Sequence, residues 1–403
     1  MLYDFDTPLD RKGTDCQKWD ALAEAFGRED LLAFWVADMD FKSAPEIIDA
    51  LRERVEAGVF GYPIMSDGAR ESVSDWLETR HGWRIDPDTV GFTPGVITAL
   101  SAAVLAFSEP GDGIAIQTPV YPQFFGLVQR NDRVVVENPL IETDAGYEMD
   151  FENLREVLKK DVKILILSNP HNPVARVWRR DELSRLAEIC IERGVILLSD
   201  EIHQDLIYSD AKHLPLGLVA PELDPLLITF VAPSKTFNIA GLSASAWIAR
   251  DKKIRGEMRR ALAGLHLMEV NMLAIAALEA AYRRGTPWLS QAIVYLEKNR
   301  GVVESFLRDN MPRVKMKHPE GTFVFWLDFR DYGLRDVELQ RLLVDDARVA
   351  LSRGISFGAD GDGFARLNVG CPRSQLVEGL SRIERALFSF EKRASGGIFE
   401  DGR

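Results

Sequence analysis

The residue on which chemistry can be built is Lys235. It lies in Ala232-Pro233-Ser234-Lys235-Thr236-Phe237-Asn238-Ile239-Ala240-Gly241, directly after the apolar run Leu226-Leu227-Ile228-Thr229-Phe230-Val231. A desolvated lysine loses its charge readily and becomes a nucleophile toward carbonyl carbon, the Schiff-base reaction. Taken alone, a lysine between a serine and a threonine is an ordinary solvated turn residue. Two further apolar runs also end in reactive side chains. Residues 162–167 lead into Ser168-Asn169-Pro170-His171-Asn172-Pro173, and residues 195–198 lead into Ser199-Asp200-Glu201-Ile202-His203. A lysine, a carboxylate, an amide and a histidine so placed could hold an aldehyde as an imine and move protons around it.

The elements that must position these groups read as strands alternating with helices. Each run is short, apolar and partly β-branched, as expected of a buried strand. A helix with Leu183, Leu186, Ala187 and Cys190 at helical spacing separates the first two runs and stops at Gly194. Earlier in the chain, Gly113-Ile114-Ala115-Ile116 and Val134-Val135-Val136 read as strands, with a helix opened by Pro122 between them. Residues 151–159 read as a helix. Such alternation predicts an α/β fold with a mostly parallel sheet between helices. Ligands bind beyond the carboxyl ends of strands in such sheets, where the reactive residues lie. Pro45 opens a helix with Ile47, Ile48, Leu51 and Val55 on one stripe, and the next holds Val73, Trp76 and Leu77. Phe34-Trp35-Val36 reads as a short strand. Residues 253–309 read as helical, with a break at Pro287. The strands Thr322 to Leu327 and Arg366 to Val369, a helix near 336–346 and a last helix with Leu376, Leu380, Ile383 and Leu387 make a smaller α+β layer. The expected division is a large domain over 49–288 and a small one from 1–48 and 289–403, with 394–403 as a loose tail.

Composition removes several functions. The formal net charge of −13 argues against nucleic acid, whose phosphates demand clustered Lys and Arg. No run has the length of a membrane span. The acidic start Met1-Leu2-Tyr3-Asp4-Phe5-Asp6 lacks the cationic region of a signal peptide. Three scattered cysteines and six histidines in no ligand spacing predict no disulfide framework and no metal site, and a reducing cytoplasm fits.

A cofactor bound as an imine to Lys235 needs a carboxylate to keep its ring nitrogen protonated, and pyridoxal 5'-phosphate has that requirement. Asp200 supplies it. Asn172 can donate to the phenolic oxygen, and Tyr121 offers a flat surface for the ring. The helix start at Gly95, Val96 and Ile97, with Ser234, offers donors to a phosphate. Arg366, at a strand end, can hold a substrate carboxylate bidentately.

The chain resembles fold type I pyridoxal-phosphate enzymes of the class I/II aminotransferase superfamily, and within it the MalY/PatB-type cystathionine β-lyases, or C–S lyases. The resemblance covers almost the whole chain. It rests on Trp35-Val36-Ala37-Asp38-Met39-Asp40-Phe41, Thr118-Pro119-Val120-Tyr121-Pro122, Asn169-Pro170-His171-Asn172-Pro173-Val174, Ser199-Asp200-Glu201-Ile202-His203, Ser234 to Leu242, and Arg366-Leu367-Asn368-Val369-Gly370-Cys371-Pro372-Arg373. It implies that Lys235, Tyr121 and Asp200 are catalytic, with Lys235 as cofactor tether and base. His203 stands where related aminotransferases usually carry a tyrosine. Tyr62 would reach the phosphate in the partner subunit of a homodimer. Arg366 would bind the α-carboxylate with Asn172 and the backbone at Ala37, beside Tyr121. The departures are Ser243 in place of a phosphate-binding arginine, Ala232 in place of a serine, and Ala175 where relatives usually have glycine. The implied reaction on a small amino-acid substrate is β-elimination from cystathionine or S-substituted cysteines. An aminotransferase is the alternative, since the same residues would serve it, and a regulatory protein on an inherited fold is a second. Asp38 and Asp40 read as loop-pinning residues with no chemical role.

Overall fold

The computed structural model describes residues 3–159 and 161–396. The chain divides into two compact units. One contains residues 42–293 with 320–322; the other draws on the chain up to Phe41, Val294–Pro319 and the chain from Phe323.

The larger unit is built on a seven-stranded sheet. Its strands run in the order Val90–Thr93, Ser245–Ile248, Leu227–Val231, Ile196–Asp200, Val162–Ser168, Gly113–Ile116 and Val134–Glu137. Ser245–Ile248 is antiparallel to both its neighbours, and the remaining pairings are parallel. Leu227–Val231 is buried along its whole length and Val162–Ser168 at every residue but Lys163, because helices cover both faces, which is why they read as apolar runs. The sequence patterns placed these strands within a residue or two. They did not yield the Val90–Thr93 and Ser245–Ile248 strands, whose residues are mixed in polarity. Gly91 lies opposite Trp247, where an added Cβ would sit 2.2 Å from the indole, so only glycine fits beneath that ring. The helix Arg180–Arg193 buries Leu183, Leu186, Ala187 and Cys190 and ends on Gly194 at φ 64°.

The helix Pro45–Glu56 buries Ile47 and Ala50, whereas Ile48 and Val55 are exposed. The expected apolar stripe is therefore turned partly outward. The helical region beyond 250 resolves into Lys252–Gly264, Met272–Arg284 and Thr286–Asn310, and Pro287 falls in the first turn of the last of these.

The smaller unit holds a four-stranded antiparallel sheet in the order Lys315–Met316, Val324–Asp328, Phe364–Asn368 and Ser352–Arg353. The expected strand at 34–36 lies slightly earlier, as Leu32–Ala33, and pairs in parallel with Val349–Ala350. The final helix, Arg373–Gly396, buries Leu376, Leu380, Ile383 and Leu387. It continues through 394–396, which were expected in the loose tail; the rest of that segment lies outside the described residues.

Candidate active site

The strand ends Ser168, Asp200 and Phe230 are held level by the sheet register. The ladder continues one step past the strands. Asn169 N–H donates to Asp200 O at 2.9 Å, and Glu201 N–H donates to Phe230 O at 2.9 Å. Beyond Val231 the chain makes a single helical turn, Pro233–Thr236, that carries Lys235. This turn is where the sequence suggested only a loop. Proline at its start supplies the required φ.

Asp200 is buried, and burial pushes its carboxyl up to about 7; a hydrogen bond from Ile202 N–H and the charge of nearby Lys235 oppose that rise without cancelling it. A carboxyl held so far from its ordinary range, beside a lysine at a strand end, has the character of a functional group. Asn172 is also buried, with its backbone N–H on Ser168 Oγ at 3.3 Å, and Ser168 Oγ donates to Pro170 O at 3.0 Å. His203 is buried two residues beyond Glu201. The neighbouring His171 is a packing residue: its Nε2 lies 2.8 Å from Pro119 O, and burial lowers its pKa to about 4.

Tyr121 caps the helix Pro122–Arg130, half-buried, with its ring edge-on to Phe124 at 5.9 Å. Tyr121, Ile97 and Ile202 pack on the same apolar cluster as Val96 and Ala232. The helix Val96–Phe107 starts at Gly95, which has no side chain to cap it, so its first N–H groups are open to an anion. Ser234 Oγ donates to Ala244 O at 3.3 Å, and Ser245 Oγ donates to Thr93 O at 3.1 Å, which ties the lysine turn and this helix start to one sheet edge. Ser243, at φ 57°, occupies the departure point noted in the sequence.

Two buried networks hold the pair from behind, and the sequence reading missed both. Glu201 accepts from Ser199 Oγ at 2.8 Å, Leu216 N at 3.0 Å and His213 Nε2 at 3.0 Å. Asp205 accepts from Thr236 Oγ1 at 2.9 Å, Trp76 Nε1 at 3.0 Å and His81 Nε2 at 2.8 Å. Burial acts to raise the Asp205 carboxyl, but these donors and Arg80 outweigh it and hold it below the ordinary range. One network grips the residue after Asp200 and the other the residue after Lys235. Their only sequence signal is a buried run carrying Asp200, Glu201 and Asp205 together, since acids in such a place must find donors.

Tyr62 is 96% exposed, in a loop whose Val59, Phe60 and Ile64 are exposed as well. Arg366 and Ala37 belong to the smaller unit, and both are buried. Arg366 Nη2 donates to Trp35 O at 2.8 Å, and its guanidinium lies 5.0 Å over the Phe357 ring. Among the described residues no cluster of His, Cys, Asp and Glu could hold a metal ion, and no helix is long and apolar enough to cross a membrane.

Residues 29–383 match the family model described as aminotransferase class I and II. The chain belongs to this family. It is 45% identical to the cystathionine beta-lyase PatB of Bacillus subtilis (strain 168), covering 95% of this chain and 99% of the relative. It is 37% identical to protein MalY of Escherichia coli (strain K12), over 96% and 99%. Among solved structures, cystalysin from Treponema denticola, which contains pyridoxal 5'-phosphate, superposes with a TM-score of 0.94 at 35% identity, over 97% of this chain and 100% of that one. The fold is that of the fold type I enzymes to which this family belongs. Ala175 adopts the left-handed backbone, at φ 57°, with its methyl group buried.

Proposed function

We propose that the protein is a pyridoxal-phosphate-dependent carbon–sulfur β-lyase. It takes cystathionine or a related S-substituted cysteine and, with water, releases a thiol, pyruvate and ammonia. The observation that carries the reading is the buried Asp200 beside Lys235 at level strand ends. Burial pushes that carboxyl up to about 7, and a protonated ring nitrogen is a cation that would favour its charged form. The uncapped helix start at Gly95 fits a phosphate in the same way. The similarity to lyases, at up to 45% identity among those described above, supports elimination over amino transfer.

Pyridoxal phosphate, when bound, supplies the aldehyde carbon that joins an amine and a ring that stabilises negative charge at the substrate Cα. Lys235 Nζ is the tether and then the base that takes the Cα proton. Asp200 holds the proton on the ring nitrogen. Asn172 and His203 would bind at the phenolic oxygen, and Tyr121 would offer a flat surface to the ring. Gly95, Val96 and Ile97, with Ser234, hold the phosphate. Arg366, with Asn172 and the backbone at Ala37, holds the substrate's carboxylate; its planar fork matches that group. The enzyme is a homodimer, in which Tyr62 reaches the partner's phosphate; the exposed apolar loop around it supports this. Its three cysteines are free, in keeping with a cytoplasmic protein.

The test is incubation of the purified protein with cystathionine or S-ethyl-L-cysteine, with and without a 2-oxo acid. Thiol and pyruvate should appear without the oxo acid, and Lys235→Ala should abolish both. Amino transfer to the oxo acid with no thiol released would overturn the lyase reading.

A further inference from the structure

The smaller unit buries an ion pair that the chemistry above does not use. Lys18 is 0% exposed and Asp40 is 1% exposed. Asp40 Oδ2 accepts from Lys18 Nζ at 2.7 Å and from Gln375 Nε2 at 3.3 Å. Its Oδ1 accepts from Arg11 Nη1 at 2.7 Å and from Trp19 Nε1 at 2.9 Å. Burial pushes the Asp40 carboxyl up, yet the Lys18 ammonium and these donors bring it below the ordinary carboxylate range. The pair is charged and fully surrounded.

Arg11 Nη2 also donates to Cys16 Sγ at 2.8 Å, and several further contacts of this hub fall on the segment from Trp35 to Asp40. Lys18 Nζ also donates to Asp38 O at 3.2 Å, and Arg11 Nη2 donates to Asp38 Oδ2 at 2.8 Å. Trp35 Nε1 donates back to Lys18 O at 2.9 Å. From the other side, Asn368 Nδ2 donates to Val36 O and to Asp38 O, each at 2.6 Å, and Asp40 N–H donates to Gly370 O at 2.7 Å. Gly370 is packed so closely that an added Cβ would lie 2.6 Å from Met39 Cγ. The segment is thus fixed along its length. At its start, Trp35 O accepts from Arg366 Nη2 at 2.8 Å and from Ser352 Oγ at 2.7 Å. A guanidinium is a rigid planar fork, so anchoring one nitrogen sets the direction of the others.

A buried ion pair is weak as a source of stability, because desolvation consumes most of the attraction. It does fix one geometry. We infer that Lys18 and Asp40 are positioning residues for substrate recognition: they set the Trp35–Ala37 backbone, and through Trp35 O they aim the Arg366 guanidinium at the carboxylate of an α-amino acid. This rests on the carboxylate role given to Arg366 above.

The test uses the holoenzyme and the visible absorbance change on adding L-norleucine, which has no β leaving group, or pentylamine, the same molecule without its carboxylate. The double variant Lys18→Met/Asp40→Leu removes the pair without stranding a charge. It should weaken norleucine about tenfold or more while pentylamine changes less than about twofold; KM for S-ethyl-L-cysteine should rise about as much, with kcat within about threefold. Trp19→Phe, which deletes one donor to Asp40, should move norleucine alone by about two- to fivefold, and it decides the matter if the double variant does not fold. Equal weakening of both ligands, or unchanged norleucine binding, overturns the hub. Arg366→Lys separates the two readings: if wild type does not prefer norleucine to pentylamine, or Arg366→Lys keeps that preference, the role of Arg366 fails first.

Discussion

Replacing Asp200 by asparagine should make the cofactor-free protein more stable while it abolishes activity. Burial raises the carboxyl from 3.8 to about 7 even with Lys235 nearby. Below pH 4 the group is protonated in both folded and unfolded chains, and the aspartate costs nothing relative to asparagine. Between pH 4 and 7 the unfolded chain ionises and the folded one does not, so wild-type stability falls with rising pH. Above 7 both are ionised and the penalty levels off. At about 1.4 kcal/mol per pH unit, the plateau is about 4 kcal/mol. Asparagine keeps the shape and can still accept from Ile202 N–H, which is 3.1 Å from Asp200 Oδ1. Urea denaturation of the cofactor-free wild type and Asp200→Asn should therefore show an advantage of the variant of only about 1 kcal/mol at pH 4.5 and of about 2–4 kcal/mol at pH 8. Added cofactor should narrow the gap, because a ring cation stabilises only the carboxylate. A variant equal to or weaker than wild type at pH 8, or an advantage that does not shrink as pH falls, would refute the idea that Asp200 is held ready for a cation.

Asp205→Ala strands Thr236 Oγ1, Trp76 Nε1 and His81 Nε2 without their acceptor. It should cost about 3 kcal/mol or more in chemical denaturation and loosen cofactor retention, measured by dialysis, since Thr236 anchors the turn of Lys235. At Ala175, whose φ is 57°, valine should destabilise by about 3 kcal/mol, because a β-branched side chain is badly accommodated there. Ala175→Gly should stay within about 1 kcal/mol of the parent, as relief of strain offsets the lost methyl and the freer unfolded chain. Tyr62→Ala should leave the melting temperature of the cofactor-free protein unchanged, since the ring is 96% exposed, yet lower cofactor affinity about tenfold, with sedimentation returning a dimer.

The sequence carried the central strands, the helix started at Gly95 and the reactive residues at the strand ends. It could do so because those signals are local. A strand buried on both faces is a run of apolar residues, and a functional turn is a polar cluster directly after it. The two strands nearest one edge, Val90–Thr93 and Ser245–Ile248, were not legible, since neither is continuously apolar and their pairing joins distant stretches of chain. The exposed Ile48 and Val55 show the same limit: a helical stripe says which residues share a face, and only the packing says what covers it. Lys235, Asp200, Asn172 and Tyr121 could each be named as candidates from type and position. What sets their state could not. The raised carboxyl of Asp200 is a property of its burial, and the grip on Asp205 comes from Trp76 and His81, far away in sequence. Asp40 makes the point most plainly. By itself it is one acid in a loop, read as pinning that loop, and that is correct. Only the tertiary structure showed that its partners are Lys18, Arg11, Trp19 and Gln375, and that the pinned segment ends on Arg366. Local physics names the groups that can do chemistry; contacts between remote residues fix their charge and their aim.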